Sequence, residues 1–86
     1  PIIKVIEYKL LPGVNEQDFL STSNALMPEI ARLQGFIKRE LYKGDNEVWR
    51  DEVTWASRVD ADNSEKDISI LGKIQNCSEW VKIENN

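Results

Sequence analysis

The chain contains no histidine and a single cysteine, Cys77. Without histidine there is no Ser-His-Asp or Cys-His nucleophile, no histidine ligand for haem, and few of the usual ligand sets for zinc. One cysteine excludes an internal disulfide and fits a reducing compartment, so the chain reads as cytoplasmic. Basic runs are also missing. Eleven Lys and Arg stand against 15 Asp and Glu, a formal charge of −4, so neither nucleic acid nor an anionic membrane is an expected partner. No apolar run is long enough to span a bilayer. The N-terminal PIIKVIEYKL has no signal-peptide core or cleavage site and reads as a strand beginning one residue after a removed initiator Met. There are only four Gly and three Pro, and no repeat or linker divides residues 1–86. They are read as one domain. A chain this short buries only about 60% of its unfolded surface, a marginal core that a second copy would relieve.

What the chain has is a hairpin, Gly35 to Trp55. Pairing residues whose numbers sum to 90 sets Lys43 against Glu47, Glu40 against Arg50, Arg39 against Asp51 and Lys38 against Glu52. Leu41 then meets Trp49 and Ile37 meets Val53. Opposite charges and apolar groups meet throughout, each pair worth about 0.2–1 kcal/mol. The loop is Gly44-Asp45-Asn46, with Asn46 suited to a left-handed backbone. One face carries Ile37, Leu41, Trp49, Val53 and Trp55 around the Arg39–Asp51 ion pair. The other mixes Phe36, Tyr42, Val48 and Thr54 with charged residues.

Ahead of the hairpin, Ile2 to Leu11 is a strand, apolar enough on both faces to be central and covered. Ile2, Ile6, Tyr8 and Leu10 share one face; Ile3, Val5, Glu7 and Lys9 share the other. Pro12-Gly13 ends it. Asn15 or Asp18 caps a helix to about Gln34, with Phe19, Leu26, Ile30 and Leu33 on its buried stripe and Gly35 as its stop. Pro28 lies inside this helix and predicts a kink near Asn24. After the hairpin, Ser57 caps a second helix whose apolar stripe is Ile68, Leu71 and Ile74. Asn76 to Glu79 has the shape of a capping box, which favours a short helix to Glu84 burying Trp80 and Val81. The rival reading is a strand, Glu79 to Glu84. The order is α+β, ferredoxin-like β-α-β-β-α(-β), an antiparallel sheet with helices on one face.

The segment Met27 to Ala61, MPEIARLQGFIKRELYKGDNEVWRDEVTWASRVDA, resembles the antibiotic-biosynthesis-monooxygenase-like proteins of the dimeric α/β barrel superfamily. The likeness lies in the Gly35-Phe36 start, the Arg39-Glu40 pair, and the Trp49, Asp51, Val53, Trp55, Ser57, Asp60, Ala61 pattern. It implies a homodimer packed through sheet faces, with a pocket between helices and sheet in each subunit. It also implies a small aromatic or apolar ligand and, in the oxygenase branch, cofactor-independent oxygenation of quinol-like substrates. No cofactor or metal is therefore expected. Trp55 stands where the oxygenase and haem-degrading branches carry a Trp. The haem branch needs a histidine that this chain lacks, and Val5, Ile6 and Glu7 occupy the place of a first-strand Asn.

Such an oxygenase needs a base, a cation to hold the substrate anion, and an apolar enclosure. The candidate catalytic residues are Asp51, Arg39 and Glu7: Arg39 to hold the anion, Asp51 or Glu7 as base. Trp55, Trp49 and Tyr8 are the candidate binding residues. Each has a structural alternative, the Trp residues as core and Arg39–Asp51 as a cross-strand pair. Cys77 before a short helix would have a lowered pKa. Binding without turnover, or a dimeric accessory role on the same scaffold, are the competing functions.

Overall fold

The computed structural model describes residues 1–66, 72 and 76–85. Its elements are β1 (Ile2–Leu10), α1 (Glu16–Ala31), β2 (Phe36–Lys43), β3 (Trp49–Trp55), α2 (Arg58–Ser64) and β4 (Ser78–Asn85). The four strands form one antiparallel sheet in the order β2-β3-β1-β4, so β1 is central as expected. The architecture is the ferredoxin-like α+β arrangement, with both helices against one face.

Local chemistry starts each helix. Asn15 Oδ1 accepts from the backbone N–H of Gln17 at 2.8 Å and of Asp18 at 3.2 Å, and Glu16 and Asp18 lie at the positive end of α1. The helix passes through Pro28 and ends at Ala31, short of Gln34. The chain continues in tighter turns, Leu33 N–H to the Ile30 carbonyl and Phe36 N–H to that of Leu33. Gly35, at φ +83°, then turns it into β2. Ser57 Oγ accepts from Asp60 N–H at 3.2 Å and starts α2. The expected stripe Ile68, Leu71 and Ile74 lies outside the described residues.

The hairpin register differs from the sequence expectation by two residues. Leu41 pairs with Asp51, Arg39 with Val53 and Glu40 with Glu52. From Lys38 onward, an even shift keeps each side chain on its expected face but changes its partner. The reason lies in the turn. Gly44 N–H closes onto the Val48 carbonyl at 2.7 Å, making the loop Asp45–Glu47, and both Asn46 (φ 57°) and Glu47 (φ 61°) are left-handed. Glu40 facing Glu52 is offset by Lys38 beside Glu40 (3.4 Å) and by Arg50 and Tyr42 on Glu52 (2.8 and 2.5 Å).

A bulge between Phe36 and Lys38 makes a second correction. Ile37 is the extra residue, so alternation breaks and Ile37 is 48% exposed. Phe36 turns inward instead and packs edge-on against Trp55, centroids 6.0 Å apart. The third correction is the last segment, which is the strand β4 and not a helix. β1 has an open edge there whose N–H and C=O groups need partners, and β4 supplies them from Lys4–Asn85 to Leu10–Ser78. The strand carries a bulge at Val81, which is exposed. Cys77 therefore stands before a strand. Burial pushes its thiol pKa up, the reverse of the helix-terminus expectation.

The core lies between α1 and the sheet: Tyr8, Phe19, Leu26, Ile30 and Trp49. Phe19 stacks edge-on with both Tyr8 (5.8 Å) and Trp49 (5.1 Å). Among the described residues, no helix is long and apolar enough to cross a membrane.

Candidate functional site

Arg39 and Asp51 meet as the sequence suggested, but diagonally across the β2–β3 ladder. Arg39 lies opposite Val53 and reaches two residues along to Asp51, a span within range of a long side chain. The contact is bidentate: Nε to Oδ1 at 2.9 Å and Nη2 to Oδ2 at 2.7 Å. Both side chains are almost fully buried, 4% and 7% exposed. Tyr8 Oη donates to Asp51 Oδ2 at 3.3 Å, and the remaining Arg39 Nη1 points to the Met27 sulfur at 3.5 Å.

Burial works against the Arg39 charge, but the hydrogen bonds and charge of Asp51 outweigh it and the net pKa shift is upward. Burial, reinforced by the Asp51 charge, raises the Tyr8 phenol far above its ordinary value. Tyr8 is therefore a neutral donor. Asp51 has both oxygens engaged, and Arg39 has its charge matched.

Beside this pair lies a cavity of about 80 Å³ between α1, the end of α2 and the sheet. Ile6, Ile30, Leu33, Val53 and Trp55 give it an apolar wall, and Arg39 and Asp51 line one side. At the α2 end stand Lys4, Ser64 and Glu65. Lys4 is buried, with its ammonium 3.2 Å from Asp62 and 2.5 Å from Glu65.

The structure thus brings Arg39, Asp51 and Trp55 to one cavity, with Tyr8 touching Asp51 from the core. Trp49 lies in the aromatic core against Phe19 and is not part of the cavity wall. Glu7 points to the opposite face of the sheet, where Arg50 Nη1 lies 3.7 Å from its carboxylate. Strand alternation separates it from Asp51 by the thickness of the sheet. Lys4 and Glu65 were missed. Lys4 carried a signal, a charge sharing the face of Ile2, Ile6 and Tyr8; Glu65 carried none, because its direction depends on how α2 docks.

Superposition on solved structures finds the same arrangement over almost the whole chain. SnoaB, a cofactor-independent oxygenase from Streptomyces nogalater, matches with a TM-score of 0.83 and 11% identity over 99% of this chain and 89% of its own. The fold is that of the antibiotic-biosynthesis-monooxygenase-like proteins. A protein assigned as an antibiotic biosynthesis monooxygenase from Bordetella bronchiseptica matches at 0.78 with 18% identity, covering 99% of this chain and 93% of its own. PA3566 from Pseudomonas aeruginosa matches at 0.74 with 13% identity, covering 100% and 91%. No family model and no curated protein matches the sequence. Identities this low carry the monooxygenase-like fold and leave the reaction to be argued from the site.

Proposed function

We propose that the cavity binds a small aromatic molecule of the phenol or quinol type, and that the protein oxygenates it without a cofactor. The observation that carries this reading is the lining: an apolar box with Trp55 as one wall and, at one end, the buried ammonium of Lys4 against the half-exposed carboxylate of Glu65. A ring lies against Trp55 and directs its hydroxyl to that end. Glu65 accepts the hydroxyl proton and Lys4 holds the phenolate formed. The anion is electron-rich enough to reduce dioxygen itself. The fold shared with an oxygenase described as cofactor-independent supports the same chemistry.

In this reading Arg39 and Asp51 form a polar wall of zero net charge that orients the ring. Tyr8 and Trp49 hold that wall from behind, and Glu7 stays outside. An engineered cavity of about 150 Å³ admits benzene, so a cavity of about 80 Å³ admits one ring only if a wall yields. The wall proposed to yield is α2, held by its Ser57 cap, Ala61 and the ion pairs to Lys4. A second copy is proposed on the helix-free face of the sheet, around Ile3 and Thr54. A single species of monomer mass in sedimentation equilibrium would contradict that part.

The test is oxygen uptake with hydroquinone in a Cys77→Ser background, which removes thiol addition to the product. One oxygen atom enters the ring and the other leaves as water, so hydroquinone and O₂ give hydroxybenzoquinone and H₂O. Lys4→Met and Glu65→Gln should each lower the protein-dependent rate about 10²-fold. Uptake no faster than autoxidation, or equal rates in the variants, would overturn turnover and leave binding alone.

A further inference from the structure

On the other side of Arg39 lies a separate groove of about 250 Å³ between α1 and the edge strand β2, lined by Leu20, Ser23, Asn24, Met27, Arg39 and Leu41. One lining residue carries an unpaired group just beneath the groove surface. Ser23 is 1% exposed and its hydroxyl has no hydrogen-bond partner among the described residues. Ser23 sits one turn after Phe19 and one turn before Leu26, on the stripe of α1 that packs on the sheet. A serine on such a stripe normally bonds a neighbouring carbonyl or is replaced by an apolar residue. Here it does neither.

One nitrogen of Arg39, the second polar group in the groove, is also weakly engaged. Arg39 spends Nε and Nη2 on Asp51, and among the described residues its Nη1 meets the Met27 thioether at 3.5 Å, a poor acceptor. Asp51 matches the guanidinium charge, so Nη1 offers a directional N–H and not a net attraction for anions. The groove therefore presents two donors with too few acceptors, beside the apolar side chains of Leu20, Met27 and Leu41. A carbonyl oxygen has two lone pairs and no charge to desolvate, and it fits both donors at once.

We propose that this groove is a second ligand site, taking a small neutral molecule that carries a carbonyl group on an apolar body. Ser23 Oγ lies beneath the groove surface, so the lining side chains open to let the carbonyl oxygen accept from Ser23 Oγ and Arg39 Nη1, while the hydrocarbon lies on Leu20, Met27 and Leu41. The site does not depend on the oxygenase reading, since it shares only Arg39 with the cavity and reports through different residues.

The experiment is an NMR titration of the full chain with acetophenone and, in parallel, ethylbenzene, which has CH₂ where acetophenone has C=O. Acetophenone should move the Ser23 and Asn24 amides, the Met27 methyl and the Arg39 Nε–H signals to saturation. Ethylbenzene should bind there about tenfold more weakly, one hydrogen bond's worth. Ser23→Ala should weaken acetophenone about tenfold and leave ethylbenzene unchanged. Equal affinity of acetophenone for Ser23→Ala, movement of the Trp55 indole alone, or no movement up to the solubility limit (a groove that holds only water) would each overturn the proposal. Should Ser23→Ala lose its dispersed spectrum, Asn24→Trp on the exposed rim fills the groove instead. Its groove signals should stop responding, and binding at wild-type affinity would overturn the site.

Discussion

Replacing Asp51 by Asn keeps the shape of the side chain and removes its charge. The structure makes the consequence calculable. Arg39 would keep a guanidinium that is only 4% exposed and has no other carboxylate within its reach among the described contacts. Breaking one partner of a buried ion pair costs about 3–5 kcal/mol, because the survivor's charge stays desolvated. Tyr8 would also trade its acceptor for a weaker one. A chain of 86 residues has a total stability of about 4–13 kcal/mol, at 0.05–0.15 kcal/mol per residue, so this one change removes a large share of it. With a guanidinium slope of about 2 kcal/mol/M, the unfolding midpoint should fall by about 2 M. The double variant Arg39→Met, Asp51→Leu removes both charges and fills the same space, and should return to within about 1 kcal/mol of the wild type. Equilibrium denaturation followed by tryptophan fluorescence measures all three. A loss below about 1 kcal/mol in Asp51→Asn, or a double variant as unstable as the single, would refute the account of the pair.

The other expectations concern pH and backbone. Tyr8 has a folded pKa raised above the unfolded value near 10, so its contribution is complete below pH 10 and is lost as pH rises beyond it, where the unfolded chain releases a proton that the folded chain keeps. Stability should fall by about 1.4 kcal/mol per pH unit there from Tyr8 alone, and Tyr8→Phe should flatten that limb in alkaline denaturation. Glu52 has a lowered pKa, first through its hydrogen bond from Tyr42 and then from Arg50, so its contribution is present at neutral pH and lost on acidification. Glu52→Gln should reduce the acid sensitivity of the melting temperature, and an unchanged acid limb would refute the assignment. Gly35→Ala combines a φ of +83° with a Cβ that would lie 2.5 Å from Asp60 Cβ, and should cost about 1–3 kcal/mol in thermal unfolding. Ile37→Thr should stay within about 0.5 kcal/mol of the wild type, whereas a true inward Ile would lose more.

The helix starts, the central first strand and the meeting of Arg39 with Asp51 were legible because each rests on a local signal: a capping Asn15 or Ser57, an unbroken apolar run, opposite charges on one face of a hairpin. What was not legible depends on long-range choices. The register moved by two because the turn took left-handed residues at both Asn46 and Glu47, and cross-strand charge pairs of a few tenths of a kcal/mol could not hold it back. Ile37 was misplaced because a bulge leaves no mark in an alternating pattern. β4 was read as a helix because Asn76 to Glu79 imitates a cap, while the open edge of β1 that decides the matter appears only once the sheet is assembled. The cavity's Lys4 could have been found from its parity with Ile6 and Tyr8. The direction of Glu65, and the isolation of Ser23 in a groove beside Arg39, required the packed helices.

The most direct test of the cavity as a binding site is a phenol titration followed by the indole N–H signals of the tryptophans. The account predicts a saturable shift of Trp55, which lines the cavity, with Trp49 little changed in its core against Phe19. A response of Trp49 without Trp55, or none from either up to the solubility limit of phenol, would contradict it.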